Sequence, residues 1–361
     1  MPRSRAEEDR VDVIPSDNAM PPAGHGSFVD RLLRRIASLP FGGWWVYPLI
    51  VVASAAWVTV VRWLTGVAPF GSVDPSVATF AVFLPYSLAL IHYLDLRADR
   101  ALRTFAPALG GSEEDITHWR RELTSVPGRP AAAAAVGGAL FGVLVLAGTP
   151  PSIYLLFGRD LLTTSLLTGW LVILSFAAVA TLLYHTWHQL RAVQAIHAVA
   201  AAIDPFKPAA LFAFSALTAQ TGLGYLLILY YAATINGEFT AGTPSLFLYV
   251  MFIAPAVACF VLPLIGMHRR LTDAKAALLD ESDIRIQAAK AELYGRVDAG
   301  NLAGASDVRD ALEGLTIVRD QIVRLPTWPW SPQLLGGYLT ALLLPIVIWF
   351  ITRVLGNVLQ V

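Results

Sequence analysis

Long apolar runs alternate with charged connectors along this chain, and seven of the runs, at residues 44–64, 77–94, 131–148, 161–187, 209–235, 245–267 and 332–355, are close to 20 residues long. A hydrocarbon layer about 30 Å thick takes roughly 20 apolar residues of helix to cross. The pattern therefore predicts an all-α integral membrane protein, a seven-helix bundle. Ahead of the first span, residues 28–38 form a short amphipathic piece with Arg31, Arg34 and Arg35, which ends at Pro40 and Gly42-Gly43 and is read as lying on the membrane surface. Residues 1–27 carry Glu7, Glu8, Asp9, Asp12 and Asp17 and a Pro/Gly-rich stretch, the composition of a disordered tail. They lack the apolar core of a secretory leader.

Composition agrees, because 56% of residues are hydrophobic and only 14% charged, where a soluble domain carries roughly 25% charged residues. Twenty-six basic residues balance 26 acidic ones, which leaves no net charge to favour a nucleic-acid partner. The single cysteine, Cys259, excludes an intrachain disulfide. Lys and Arg accumulate in cytoplasmic connectors. A cytoplasmic N-terminus and an outside C-terminus place all the basic residues inside except Arg62, Arg159 and Arg353.

The non-membrane mass falls on that same inner side. Residues 95–105 continue the second helix inward, and Ser112-Glu113-Glu114-Asp115 has the form of a capping box opening another short helix, which Pro127 and Pro130 close. After the sixth span Leu279, Ile286 and Leu293 recur at seven-residue spacing; a break at residues 300–304 follows, then Ser306 as N-cap, then Val308, Leu312, Leu315, Val318, Ile322 and Leu325 at three/four spacing. These predict a cytoplasmic helical hairpin at residues 268–325. Its apolar stripe either pairs the two arms or offers a contact between subunits. The return passes through Pro326, Trp328, Pro329 and Trp330 to Ser331-Pro332, an N-cap and first-turn proline. This elbow either transmits hairpin movement to the seventh helix or, through tryptophans at headgroup level, only fixes its depth.

No Asp, Glu, Lys or Arg falls near the middle of a span, which argues against a carboxylate relay of the kind used by proton-driven transporters. Polar side chains that would line a pore or ligand path are Thr218, Thr221 and Tyr225 in the fifth span and Gln333, Tyr338 and Thr340 in the seventh; the alternative is helix–helix adhesion. Pro85, Pro255, Pro263 and Pro345 predict kinks, and Ala134, Gly138 and Gly142 predict a tightly packed third span. His92, His185, His188 and His268 sit at the inner ends of three spans, and imidazoles so placed are candidate metal ligands, with Asp95 three residues after His92. The alternative is a belt of interfacial rings. Seven-helix hydrolases of the ceramidase type use Ser-x-x-x-His and His-x-x-x-His; here Ser87 to His92 is one residue too long and His185 to His188 one too short.

The strings His92-Tyr93-Leu94-Asp95, Glu122-Leu123-Thr124-Ser125-Val126-Pro127, Pro205-Phe206, Leu262-Pro263-Leu264-Ile265-Gly266 and Leu325 through Trp330 resemble an uncharacterised family of bacterial multipass membrane proteins over roughly residues 40–358. That resemblance implies a plasma (inner) membrane location and carries no functional residue. In topology alone the chain is similar to the insect chemoreceptor-type ion channels, whose sixth helix extends into the cytoplasm, whose tetramers meet through cytoplasmic helices, and whose last helix lines the pore. This likeness gives the hairpin and residues 332–355 those parts. The chain divides into a tail (1–27), an interfacial segment (28–43), a six-helix region (44–267), the hairpin (268–325) and the elbow with its seventh helix (326–361). The expectation is a non-enzymatic channel- or receptor-like protein without cofactor, a homo-oligomer through the hairpin. A metal-dependent membrane enzyme and a non-catalytic scaffold are the alternatives.

Overall fold

The computed structural model describes residues 26–73, 78–148, 161–200, 208–235, 243–300, 304–328, 330, 333–344 and 347. They form ten α-helices and a 3₁₀ turn, with no strand among them. The helices are α1 (Phe28–Ala37), α2 (Val46–Leu64), α3 (Ala78–Leu109), α4 (Glu113–Thr124), α5 (Gly128–Gly148), α6 (Leu161–Val199), α7 (Pro208–Ile235), α8 (Thr243–Asp298), α9 (Ala305–Val323) and α10 (Gln333–Leu344); the 3₁₀ turn is Pro40–Gly43. Six of them, α2, α3, α5, α6, α7 and α8, are long and apolar enough to cross a membrane. The start of the expected seventh span is α10, and residues 348–361 lie outside the described residues.

The centre is α3, which packs against α2, α4, α6 and α7. Leu33, Ile91, Leu94, Leu102, Phe105, Leu182, Ile196, Phe214, Tyr225 and Phe252 are fully buried around it in one continuous cluster. As expected, α3 continues through residues 95–105, and it ends only after Pro107. Likewise α6 passes Trp187 to reach Val199, and α8 runs unbroken from the sixth apolar stretch into the first arm of the hairpin.

Gly138 and Gly142 do let α5 approach α6 closely, for a Cβ on either would collide with the backbone of residues 173–177. The rest of α5 is outward, with Val136, Leu140 and Leu144 exposed. It is a peripheral helix held along one face rather than one packed all round.

Local chemistry sets the helix starts. Ser112 and Asp115 form the expected capping box on α4. A second box, Ser27 with Asp30, opens α1. The second hairpin arm begins differently from expectation: Gly304, at φ 72°, is the N-cap of α9, and Ser306 lies inside the helix. A left-handed residue was needed to reverse the chain after α8, and glycine takes that conformation without steric cost.

Val308 and Ile322 of α9 are buried, on the face that also carries Leu312 and Leu315 and that packs against α8. Arg319 reaches Asp283 at 2.6 Å across the same junction. The hairpin's apolar stripe thus pairs the two arms.

Candidate functional site

At the end of the bundle capped by α1 and α4, a layer of polar side chains is closed off from solvent. Asp95 of α3 and His185 of α6 are 1% and 2% exposed, and the Asp95 carboxylate accepts from His185 Nε2 at 2.9 Å. The other atoms of the pair, Asp95 Oδ2 and His185 Nδ1, are buried without a hydrogen-bond partner among the described residues. Asp30 is close enough to interact electrostatically with both residues. Its Oδ2 accepts from the backbone N–H of Ser27 at 2.8 Å and of Val126 at 3.2 Å, so the capping box of α1 also fastens that helix to the α4–α5 joint.

Around the pair each ring and amide has its own anchor. His92 Nδ1 is 2.9 Å from the Tyr47 hydroxyl, and Trp44 stacks on the His92 ring at 4.5 Å. Gln189 donates to the Leu123 carbonyl at 3.0 Å, and His188 stands 3.7 Å from Glu122. One helical turn beyond Asp95, Asp99 holds Arg103 at 2.8 Å and Arg120 at 2.6 Å. Buried charge is tolerated only where it is paired and hydrogen-bonded. The layer meets that condition in part: Asp99 and the facing atoms of the Asp95–His185 pair have partners drawn from α3, α4 and α6, while Asp95 Oδ2 and His185 Nδ1 stay uncompensated.

A second assembly joins the hairpin to the last helix. Phe260 and His268 lie eight residues apart on α8, and the elbow supplies Trp328 and Trp330, whose rings stack between them. The result is a ladder of five near-parallel rings. His268 stacks on Trp328 at 3.9 Å, Trp328 on Trp330 at 4.6 Å, Trp330 on Phe260 at 4.9 Å, and Phe260 on Tyr338 of α10 at 4.1 Å.

Hydrogen bonds fix both ends of this ladder. His268 Nδ1 is 2.9 Å from the Thr327 carbonyl, Lys275 donates to the Val323 and Leu325 carbonyls at 2.6 and 3.0 Å, and the Tyr338 hydroxyl donates to Ala256 O at 2.6 Å. That hydroxyl lies over Gly222 of α7, where a Cβ would collide with it. Tyr230 of α7 donates to Ala341 O of α10.

The residues read from sequence as lining a pore or ligand path fall in two groups. Thr218, Thr221 and Tyr225 are fully buried; the two threonines bond to carbonyls of their own helix, and Tyr225 meets Thr186 at 2.9 Å. In α10, Tyr338 is buried on α8, whereas Gln333 and Thr340 are exposed. Within the elbow, Trp328 and Pro326 are exposed, Trp330 is half-buried, and Pro329 lies outside the described residues.

His92, His185, His188 and His268 do not share one centre. His92 turns to Tyr47, His185 to Asp95, His188 to Glu122 and His268 to Thr327. Among the described residues no group of three or more His, Cys, Asp or Glu could hold a metal ion. The contribution of Asp30 was missed in the sequence, although Ser27-x-x-Asp30 has the capping-box form. No protein-family model, curated protein or solved structure matches this chain.

Proposed function

We propose that this is a seven-span, non-catalytic membrane protein of receptor- or channel-like type, in which movement of the cytoplasmic hairpin is delivered to the last helix. The observation that carries this reading is the ring ladder from His268 to Tyr338, because it makes the elbow a mechanical joint between α8 and α10. The charge distribution supports an inside N-terminus, in a bacterial plasma (inner) membrane. In the channel form of the reading, copies of the chain meet around the last helix, whose Gln333 and Thr340 are outward. The hairpin would make its contacts through the exposed Ile284 and Ile317, since Leu312 and Leu315 are engaged within one chain.

A coupling experiment tests it. Lys275→Met removes the ammonium that holds the Val323 and Leu325 carbonyls and so loosens the base of the hairpin. Hydrogen exchange of residues 333–344 should rise in this variant, and should no longer respond to it in a Trp328→Ala/Trp330→Ala background. If Lys275→Met leaves that segment unchanged with the ladder intact, hairpin and helix are not coupled and the reading fails. Purified protein in planar bilayers then separates the two forms, a current favouring the channel.

A further inference from the structure

The inward face of α1 is fully engaged: Val29, Leu33 and Ile36 are buried, and Asp30, its one acidic residue, is drawn in to accept from Ser27 and Val126. What faces outward is of one sign. Arg31 and Arg35 are exposed and Arg34 half-exposed, none ion-paired with a carboxylate among the described residues, and they alternate with the exposed Phe28, Leu32 and Leu39. The Gly26–Pro127 bridge brings the exposed Arg129 beside the start of the helix.

The turn that follows is built to turn an apolar side chain outward. Phe41 adopts φ 58° and ψ 28°, a left-handed conformation that a phenylalanine rarely takes, and Gly42 and Gly43 continue it. Gly43 lies so close to the Ile36 carbonyl that no side chain would fit there. The consequence is a Phe41 ring that is 92% exposed. The chain then enters α2 directly, whose outward Leu49, Val52, Trp57 and Val60 are apolar. Exposed apolar side chains thus occur on α1, at Phe41 and along α2, with exposed arginines on the same short helix.

We propose that α1 and the turn at residues 40–45 are an anchor for anionic phospholipid. The guanidinium groups of Arg31, Arg34, Arg35 and Arg129 hold headgroup phosphates, and the Phe41 ring lies among the upper acyl carbons. A strained turn that exposes an aromatic ring has no return in water. Among acyl chains the ring is transferred out of water, and basic residues on the same helix gain from the negative surface potential. Tucking Asp30 inward removes the one carboxylate of α1 that would oppose this. The inference rests on α2 being a membrane span.

The test uses the full chain with Cys259→Ala, carrying an environment-sensitive fluorophore at Leu39→Cys or, as a reference for the span, at Leu49→Cys. Both are placed in nanodiscs of phosphatidylcholine with and without phosphatidylglycerol. Brominated acyl chains should quench both labels, and phosphatidylglycerol should increase quenching at position 39 alone. Native mass spectrometry should show phosphatidylglycerol retained on the wild type, less so as salt is raised. Retention should fall about 100-fold in Arg31→Gln/Arg34→Gln/Arg35→Gln, at about 1 kcal/mol per basic residue, and persist in the matching Lys variant. A Leu39 label quenched by aqueous iodide while the Leu49 label is quenched by lipid overturns the anchor and leaves the span standing. Failure of lipid to quench either label overturns both. Salt-insensitive retention in the wild type, or retention unchanged in the Gln variant, overturns the headgroup assignment.

Discussion

The polar layer under α1 and the ring ladder beside α8 both join distant parts of the chain, but by opposite means. The layer is directional and dry: the bond between His185 Nε2 and Asp95 Oδ1 has one geometry, and a displaced partner would leave charge or a buried polar atom without compensation. The ladder is dispersive. Parallel rings at 3.9 to 4.9 Å slide over one another at low cost, each contact contributing about 0.5–1.5 kcal/mol beyond its buried area. One region is a clamp that holds or fails, the other a joint that yields by degrees. That difference places rigidity where α1, α3, α4 and α6 meet, and compliance where the hairpin enters the last helix.

The comparison breaks most directly at the clamp. Asp95→Leu or His185→Leu alone should destabilise the protein by about 3–5 kcal/mol, while the double Leu variant should return close to wild type, because the cost lies in the abandoned partner. Thermal unfolding in detergent, followed by helix content, measures it; mild single variants would mean that the pair is not a clamp.

At the joint, Gly222→Ala forces a methyl against the Tyr338 hydroxyl and should cost about 1–3 kcal/mol. Adding Tyr338→Phe should recover part of that, since the colliding oxygen is gone. Exchange of residues 333–344 should rise in the single variant, with the clamp unaffected.

The smallest effect belongs to the N-terminal cap of α4, at the end of that helix away from its contacts with the clamp. The Ser112 backbone N–H donates to Asp115 at 2.9 Å and, with the Ser112 hydroxyl, holds that carboxyl below the usual carboxylate range. The cap therefore contributes fully above about pH 4, the ordinary aspartate value, and its contribution is lost as pH falls through the lowered one. Asp115→Asn should remove this acid dependence of α4 exchange and leave the Asp95–His185 pair unaffected.

Features that depend on neighbours in sequence were legible there. The long apolar stretches, the continuation of α3 past its apolar run, the Ser112 box and the union of the sixth apolar stretch with the hairpin all follow from runs and spacings of a few residues. Ser27-x-x-Asp30 has the same form as Ser112-x-x-Asp115, but it falls where the acidic, Pro/Gly-rich tail gives way to α1, and the composition of the tail hid it. What sequence could not supply was partnership across the fold. His92 and Asp95, three residues apart, suggested a joint site, yet Asp95 turns to His185, 90 residues away, and His92 to Tyr47. The elbow's prolines and tryptophans were visible as an elbow. Their stacking on Phe260 and His268 depends on how α8 presents its face, which no local pattern encodes.

The unbroken run of α8 has a consequence in scale. At about 1.5 Å per residue, the 31 residues from His268 to Asp298 make a rod about 46 Å long projecting from the ladder. A rod that long converts angle into distance: a tilt of about 5° at its base moves the tip by about 4 Å. Conversely, a small force applied near Gly300 acts at the base of the rod with the full lever arm.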